Sequence, residues 1–389
     1  YLKNNNYDLA KSYALKLKNR RSNFVVNDFV SNSLLNWLNL LNSDFKTAEK
    51  AINQFNSNFE NLKSIQNVFL HCFFKSSKTE FHFKNLVSNK KTDFSRYNYF
   101  YAKYLISIGE TNKAKNIIEE AANLNPDNLI LSQYDKDLKI NKNLNDFDCQ
   151  NLSHIIAEVF YITADALASQ NMISFSNFYL NLSKFLNNDF NHFDLLIAEN
   201  FYKLNNRTQA EKYYKRISKN GEVYLWFSAT QKANLLLKEK KNSQALQTLS
   251  STFKKISEKT IYIKYDYARI LKNNDKFEEA IKLYTEIIDL IDESHPLYPK
   301  AMDGRGVSYE RIGKWDLAEK DLLSSLKASP EQAYVINYLA YSWIEKGIKI
   351  KKSLNMLEKA NSLRSNDPYI IDSLGWALYK LKRYSKAKK

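Results

Sequence analysis

The 389-residue chain holds only seven glycines and five prolines. Tight reversals lean on those residues, so an all-β fold with many turns is excluded. Cysteine is almost absent: Cys72 and Cys149 stand far apart, with no CxxC pair, metal-ligand spacing or disulfide framework. Two buried free thiols are the simplest reading, and a single bridge between them is the alternative. No apolar run approaches the ~18 residues of a membrane-spanning helix; "NVFLHCFF" (67–74) is too short. Arginine is scarce as well, ten of 58 basic residues. The net charge of +16 therefore comes from lysine, and the bidentate contacts that favour arginine at nucleic-acid interfaces are under-supplied. A solvated lysine surface accompanying an AT-rich codon bias accounts for the charge; attraction to an acidic partner is the alternative.

Catalytic patterns are missing too. The five histidines (His71, His82, His154, His192, His295) form no HExxH or other ligand spacing. His154 and Glu158, four apart, read as a surface contact on one helix. "GRG" (304–306) lacks the third glycine and the preceding strand of a dinucleotide loop, and Glu278-Glu279 falls on a solvent face. There is no P-loop, GxSxG or Cys/His nucleophile pattern. No catalytic residue, metal ligand or cofactor site is expected, and the chain reads as a non-enzyme.

What is present is a ruler. Aligning "DPYIIDSLGWALYKLKRYSKA" with "PEQAYVINYLAYSWIEKGIKIKKSLNMLEKA" sets Gly375 on Ala340, and continuing N-terminally gives Gly306, Ala268, Ala233, Ala198 and Ala164, with Ala102 further upstream. The steps are 34, 35 or 38 residues up to Ala164. With this small residue numbered position 8, position 20 is again small: Ala114, Ser176, Ala210, Ala245, Ala280, Ala318, Ser353 (after a one-residue insertion) and Ala387. Position 11 is large and apolar, for example Leu105, Leu236, Trp343 and Leu378. Gly109, Gly313 and Gly347 share position 15, where a first helix must stop. Every proline falls at or near a junction between repeats. The period and its small and large positions give an all-α chain of antiparallel helix pairs, each too small to bury its apolar face without neighbours.

On this pattern the chain resembles the tetratricopeptide repeat (TPR) family, strongly over 157–389 and well over 95–128. The resemblance implies an α-α superhelix, a TPR solenoid, in which positions 2, 5, 9 and 12 of each first helix line a concave groove. The candidate partner-binding residues are then Tyr99, Tyr161, Tyr202, Asn234, Tyr262, Tyr265, Arg269, Tyr334, Asn337, Tyr341, Tyr369, Trp376 and Tyr379. Tyrosine suits peptide recognition, with apolar area and a hydroxyl on a stiff side chain. The carboxylate clamp that some TPR proteins use for chaperone tails is not formed: Asn234 holds position 9, but Thr230 holds position 5 and Asp266 position 6 of the next repeat.

Three segments follow: a degenerate helical segment over 1–128, an irregular connection over 129–156 with one helix ("LILSQYDKDLKI") and a polar loop ("NKNLNDFDCQN") that is a candidate hinge, and the main array over 157–389. The last repeat reads as truncated, since "YSKAKK" is mid-helix, and the chain opens on Tyr1 rather than methionine. The expected function is a non-catalytic scaffold or adaptor that holds a peptide or protein segment in its groove. A nucleic-acid-binding helical repeat is the alternative from a different class, although Tyr and mixed charges stand where pentatricopeptide code positions carry Asn, Asp, Ser and Thr. Long proteobacterial TPR proteins, to which "YLAYSWIEKG" and "IAEVFYITADALA" are similar, suggest a periplasmic or outer-membrane-associated setting; a cytoplasmic one stays open.

Overall fold

The computed structural model describes residues 1–4, 6–18, 25–40, 43–53, 60–142 and 144–387. Parts of the degenerate stretch (41–42, 54–55), Asn143 of the polar loop and the last two lysines of "YSKAKK" lie outside the described residues. Among the described residues there is no strand, and no helix is long and apolar enough to cross a membrane. The chain forms two compact units, 1–228 and 229–389. The connection read at 129–156 lies inside the first unit.

In the first unit the helices run α1 (Tyr7–Lys18), α2 (Val25–Leu40), α3 (Phe45–Asn53), α4 (Glu60–Phe73), α5 (Thr79–Val87), α6 (Tyr97–Ser107), α7 (Thr111–Leu124), α8 (Leu129–Lys139), α9 (Leu152–Ser169), α10 (Ile173–Leu186), α11 (Phe193–Lys203) and α12 (Arg207–Ile217). α13 (Glu222–Lys238) straddles the division. The second unit continues with α14 (Asn242–Phe253), α15 (Ile261–Lys272), α16 (Phe277–Ile288), α17 (Tyr298–Arg311), α18 (Trp315–Ala328), α19 (Ala333–Glu345), α20 (Ile350–Leu363), α21 (Pro368–Lys380) and α22 (Tyr384–Ala387). Side-chain caps start several of them: Asn128 accepts from Leu131 N, Asn151 from Ser153 N and Asp367 from Tyr369 N.

The ruler is the buried seam of each pair. Ala102, Ala114, Ala164, Ser176, Ala198, Ala210, Ala233, Ala245, Ala268, Ala280, Ala318, Ala340 and Ser353 are all fully buried. Small side chains there let paired helices approach closely, while Leu105, Leu180, Leu249 and Trp343 fill the space beside them. At Gly306 a Cβ would meet Leu322 Cγ at 3.0 Å and the Ala318 carbonyl at 3.2 Å. At Gly375 it would meet only the Ala387 carbonyl, at 3.7 Å.

Position 15 shows a regularity that glycine alone had only hinted at. In all eight ruled repeats this residue has positive φ: Gly109, Asn171, Asn205, Lys240, Asp275, Gly313, Gly347 and Lys382. Each first helix thus ends in the same left-handed stop, whatever side chain stands there. Lys75, between α4 and α5, has φ 51° and marks a further helix pair of the same kind. Its positions 8 and 20 are Val68 and Glu80, which is why the spacing of small residues does not reveal it.

The first unit departs from a simple succession of pairs. α6 packs on α7 and α7 on α8, but α9 lies against α2 as well as α10 and α11. Ser153 Oγ donates to the Leu2 carbonyl at 3.5 Å. The polar connection after α8 folds back, and Cys149 is bonded to Cys72 of α4 with Cα atoms 5.9 Å apart. The cysteines are therefore not the two free thiols of the simplest reading. The return of this connection to α4 brings them together across 77 residues. In the second unit each helix from α15 to α22 packs on the next.

Candidate functional site

The candidate residues fall on two surfaces of different character. In the first unit, the face of α6 is covered. Tyr99 is fully buried and its hydroxyl donates to the Asp146 carboxylate at 2.6 Å. Lys103, one turn on, pairs with the same carboxylate at 2.8 Å and donates to the Leu144 carbonyl. Asn187 Nδ2 donates to the Asp146 carbonyl at 2.8 Å. Phe147 sits among Phe69 and Phe100, with centroids 5.5 and 4.5 Å away. Tyr99 is thus not open groove surface, because the chain's own connection lies on it.

The N-terminal end of α6 is closed by a second long-range contact. Arg96 Nε and Nη2 donate to the two Glu158 carboxylate oxygens, each at 2.9 Å. The guanidinium also lies 3.9 Å from the centroid of Tyr161, which is half-buried. Burial pushes the Glu158 carboxyl above its ordinary value, with Arg96 opposing. His154 and Glu158 do not form the surface contact their spacing suggests. His154 Nδ1 accepts from the Asp148 amide at 3.0 Å, while Glu158 faces Arg96 in the interior. His192 lies against Tyr99 and contacts the Tyr224 hydroxyl. Burial, then Arg96 and Lys103, depress its pKa to about 3, so the ring is neutral.

Beside these groups is a cleft of about 350 Å³, lined by Tyr99, Gln133, Tyr134, Asp137, Asp146 and His192 among others. Gln133 closes one side, bonding Asp137 at 3.0 Å and accepting from the Val223 amide at 3.0 Å. Tyr202 is half-buried on α11. Sequence reasoning missed Asp146, Phe147, Asn187 and His192. The local signal was Leu144, Phe147 and Cys149 inside an otherwise polar loop.

The second unit presents an open surface. Tyr262, Tyr334, Tyr341, Tyr369 and Tyr379 are 36%, 51%, 38%, 78% and 52% exposed. They stand at positions 2, 9 or 12 of α15, α19 and α21. Tyr265 is half-buried, edge-on to Tyr284. Arg269 Nη2 reaches Asn234 Oδ1 at 3.4 Å. Burial raises the Asp303 carboxyl, with Lys272 opposing. Asn337 Oδ1 is buried with no hydrogen-bond partner. Arg364 stacks 4.7 Å from the Tyr334 centroid and donates to its hydroxyl at 2.8 Å, which in turn donates to Asp367 at 2.8 Å. Trp376 stacks on Tyr379 with centroids 5.4 Å apart and planes 8° from parallel. Among the described residues no group of three or more His, Cys, Asp or Glu is placed to hold a metal ion.

Helix pairs of this period, with buried small residues at two fixed positions and a left-handed stop between them, make the fold a tetratricopeptide-repeat solenoid. The tetratricopeptide repeat family model matches residues 95–128, the α6–α7 pair. A 150-residue stretch is 27% identical to a TPR repeat-containing protein of Pseudomonas aeruginosa, taking in 38% of this chain and 24% of that protein. This chain thus spans about a quarter of that relative's length. Among solved structures, the APC/C hetero-tetramer Cut9–Hcn1 is similar over 97% of this chain and 68% of its own, with 15% identity and a TM-score of 0.45. MamA of Desulfovibrio magneticus RS-1 is similar over 43% of this chain and 89% of its own, at 17% identity and TM-score 0.35. YrrB, described as a TPR protein with an unusual peptide-binding site, is similar over 45% and 88%, at 14% identity and TM-score 0.35. The fold is that of a protein-interaction scaffold.

Proposed function

We propose that this chain is a non-catalytic adaptor whose second unit holds a segment of a partner protein on the face formed by its first helices. The observation that supports this reading is the set of five tyrosines, each more than a third exposed, recurring at groove positions of α15, α19 and α21. Exposed aromatics gathered on one kind of surface mark interaction sites, and tyrosine is enriched among residues that dominate binding energy. Asn234, Arg269 and Asn337 supply polar groups among them. The net charge of +16 favours an acidic segment.

The test is capture of partners from the native host by the wild-type protein and by the Tyr262→Ala/Tyr265→Ala/Tyr341→Ala variant, with circular dichroism showing that the helices persist. At least a tenfold loss of the captured protein is expected. Equal capture by both defeats the reading. So does submicromolar, steeply salt-dependent RNA binding, which would favour the nucleic-acid alternative. We also propose an oxidising, extracytoplasmic setting in the bacterial envelope, because structural disulfides persist there. Thiol trapping in intact cells checks it: two free, alkylated cysteines would exclude that setting.

A further inference from the structure

The contacts made by residues 144–149 are those of a bound peptide rather than of a connecting loop. The segment is not helical, and side chains of other elements hold its main chain: Lys103 on the Leu144 carbonyl, Asn187 on the Asp146 carbonyl and His154 on the Asp148 amide. Its side chains divide between solvent and the interior. Asn145 and Asp148 are exposed; Asp146, Phe147 and Cys149 are buried. The Asp146 carboxylate is met by a hydroxyl and an ammonium from positions 5 and 9 of α6, which in the second unit carry the half-buried Tyr265 and the exposed Tyr341. The Phe147 ring enters an aromatic pocket of α4 and α6. Three residues beyond Asp146, the covalent bond to Cys72 pins the segment in place.

We propose that residues 144–149 are an intramolecular ligand of the α6 face, and that this face accepts an extended Asp-Phe segment of a partner protein once the internal copy is released. The inference rests on reading these helix pairs as an interaction module, and it concerns a different unit from the exposed tyrosines. A tethered occupant is present at an effective concentration of about millimolar or more, so a free segment with the same contacts competes poorly while the tether holds. Opening the Cys72–Cys149 bond loosens it. A dithiol reductant delivers two electrons and two protons, the two cysteines become thiols, and the reductant leaves as its own disulfide. The segment is then joined to the protein only through α8 and α9.

The experiment uses a fluorescein-labelled peptide of the sequence 142–150 with serine in place of the cysteine, and reads anisotropy. Three proteins are compared: oxidised wild type, wild type in excess dithiothreitol, and reduced Asp146→Ala/Phe147→Ala. Binding should be at least tenfold tighter to the reduced double variant than to oxidised wild type, with reduced wild type between them. Replacing the peptide's aspartate, the counterpart of Asp146, by asparagine should weaken it about tenfold. Equal binding to all three, or none to a folded variant, overturns the proposal. If circular dichroism shows that the variant does not fold, hydrogen exchange on wild type decides. Reduction should speed exchange at 144–150 and added peptide should slow it along α6; unchanged exchange at both overturns the proposal. The tyrosine variant reports on the second unit alone, so either reading can fail without the other.

Discussion

Arg96 and Glu158, 62 residues apart, form a two-bond ion pair with the carboxylate almost wholly buried. Removing one partner of such a pair leaves the other charge unpaired, which typically costs about 3–5 kcal/mol. Glu158→Ala should therefore lower the stability of the first unit by that order, and Glu158→Gln by less, since the amide keeps a hydrogen bond to Arg96. Calorimetry or urea unfolding followed in the first unit reads the difference. A loss under 1 kcal/mol for the alanine variant would mean that the pair is replaced by solvent at little cost.

The left-handed stops predict gains as well as losses. A residue with a Cβ pays about 1–2 kcal/mol to adopt this conformation, and glycine does not. Lys240→Gly should thus raise stability by about 0.5–1 kcal/mol after the glycine entropy penalty. Gly313→Ala should lower it by about 1–2 kcal/mol, and a Cβ there would meet nothing within 4 Å, so the effect isolates the backbone. Opposite signs in thermal unfolding are the expected result.

Gly304 and Gly375 should respond to alanine in opposite ways. A Cβ on Gly304 would fall 2.4 Å from Cζ of Tyr284, a buried ring with little room to move. Gly304→Ala should cost about 1–3 kcal/mol through overpacking. At Gly375 the contact is ordinary at 3.7 Å, so Gly375→Ala should be neutral or stabilising by up to about 1 kcal/mol from helix propensity. Ala340→Leu, at a fully buried seam, should behave like Gly304→Ala. A neutral result at Ala340 would place the seam elsewhere.

Two buried histidines should make the first unit lose stability as pH falls below 6.5. His192 is depressed to about 3 by burial, with Arg96 and Lys103 next. His71 is depressed to about 4 by burial, with His82 and Lys78 next. Between these values and 6.5 the unfolded chain binds protons that the folded chain refuses. The stabilising contribution is therefore complete above pH 6.5 and is lost as pH falls toward 4 and then 3, at up to about 1.4 kcal/mol per pH unit for His192. Glu158, Asp165 and Glu199 of the same unit are shifted upward and act in the opposite sense. They are unchanged in a His192→Asn variant, whose melting temperature should fall less steeply from pH 6.5 to 4.5 than that of wild type. Parallel curves would show that His192 carries no such linkage.

The helix pairs were legible because their logic is local. Ala268 and Ala280 must be small whatever else the chain does, and Gly109 and Gly313 disclose the stop. The α4–α5 pair was not legible, because Val68 and Glu80 occupy the positions where the ruler looks for small residues. The closure of the first unit was hidden for another reason. Tyr99 meets Asp146 across 47 residues and Arg96 meets Glu158 across 62, and periodicity carries no information about pairs so far apart. Position 5 says which way Tyr99 points; it does not say what lies against it. In the second unit, where no such insertion intervenes, the same numbering led to tyrosines that are exposed.

The Cys72–Cys149 bond also gives the first unit an unusual mechanical circuit. Tension applied along the chain would pass from α4 to the start of α9 through sulfur, leaving α5 to α8 slack and unloaded. The shunted stretch of 77 residues amounts to about 250–280 Å of extended chain. That length stays in reserve while the bond holds and would be released only when it is broken.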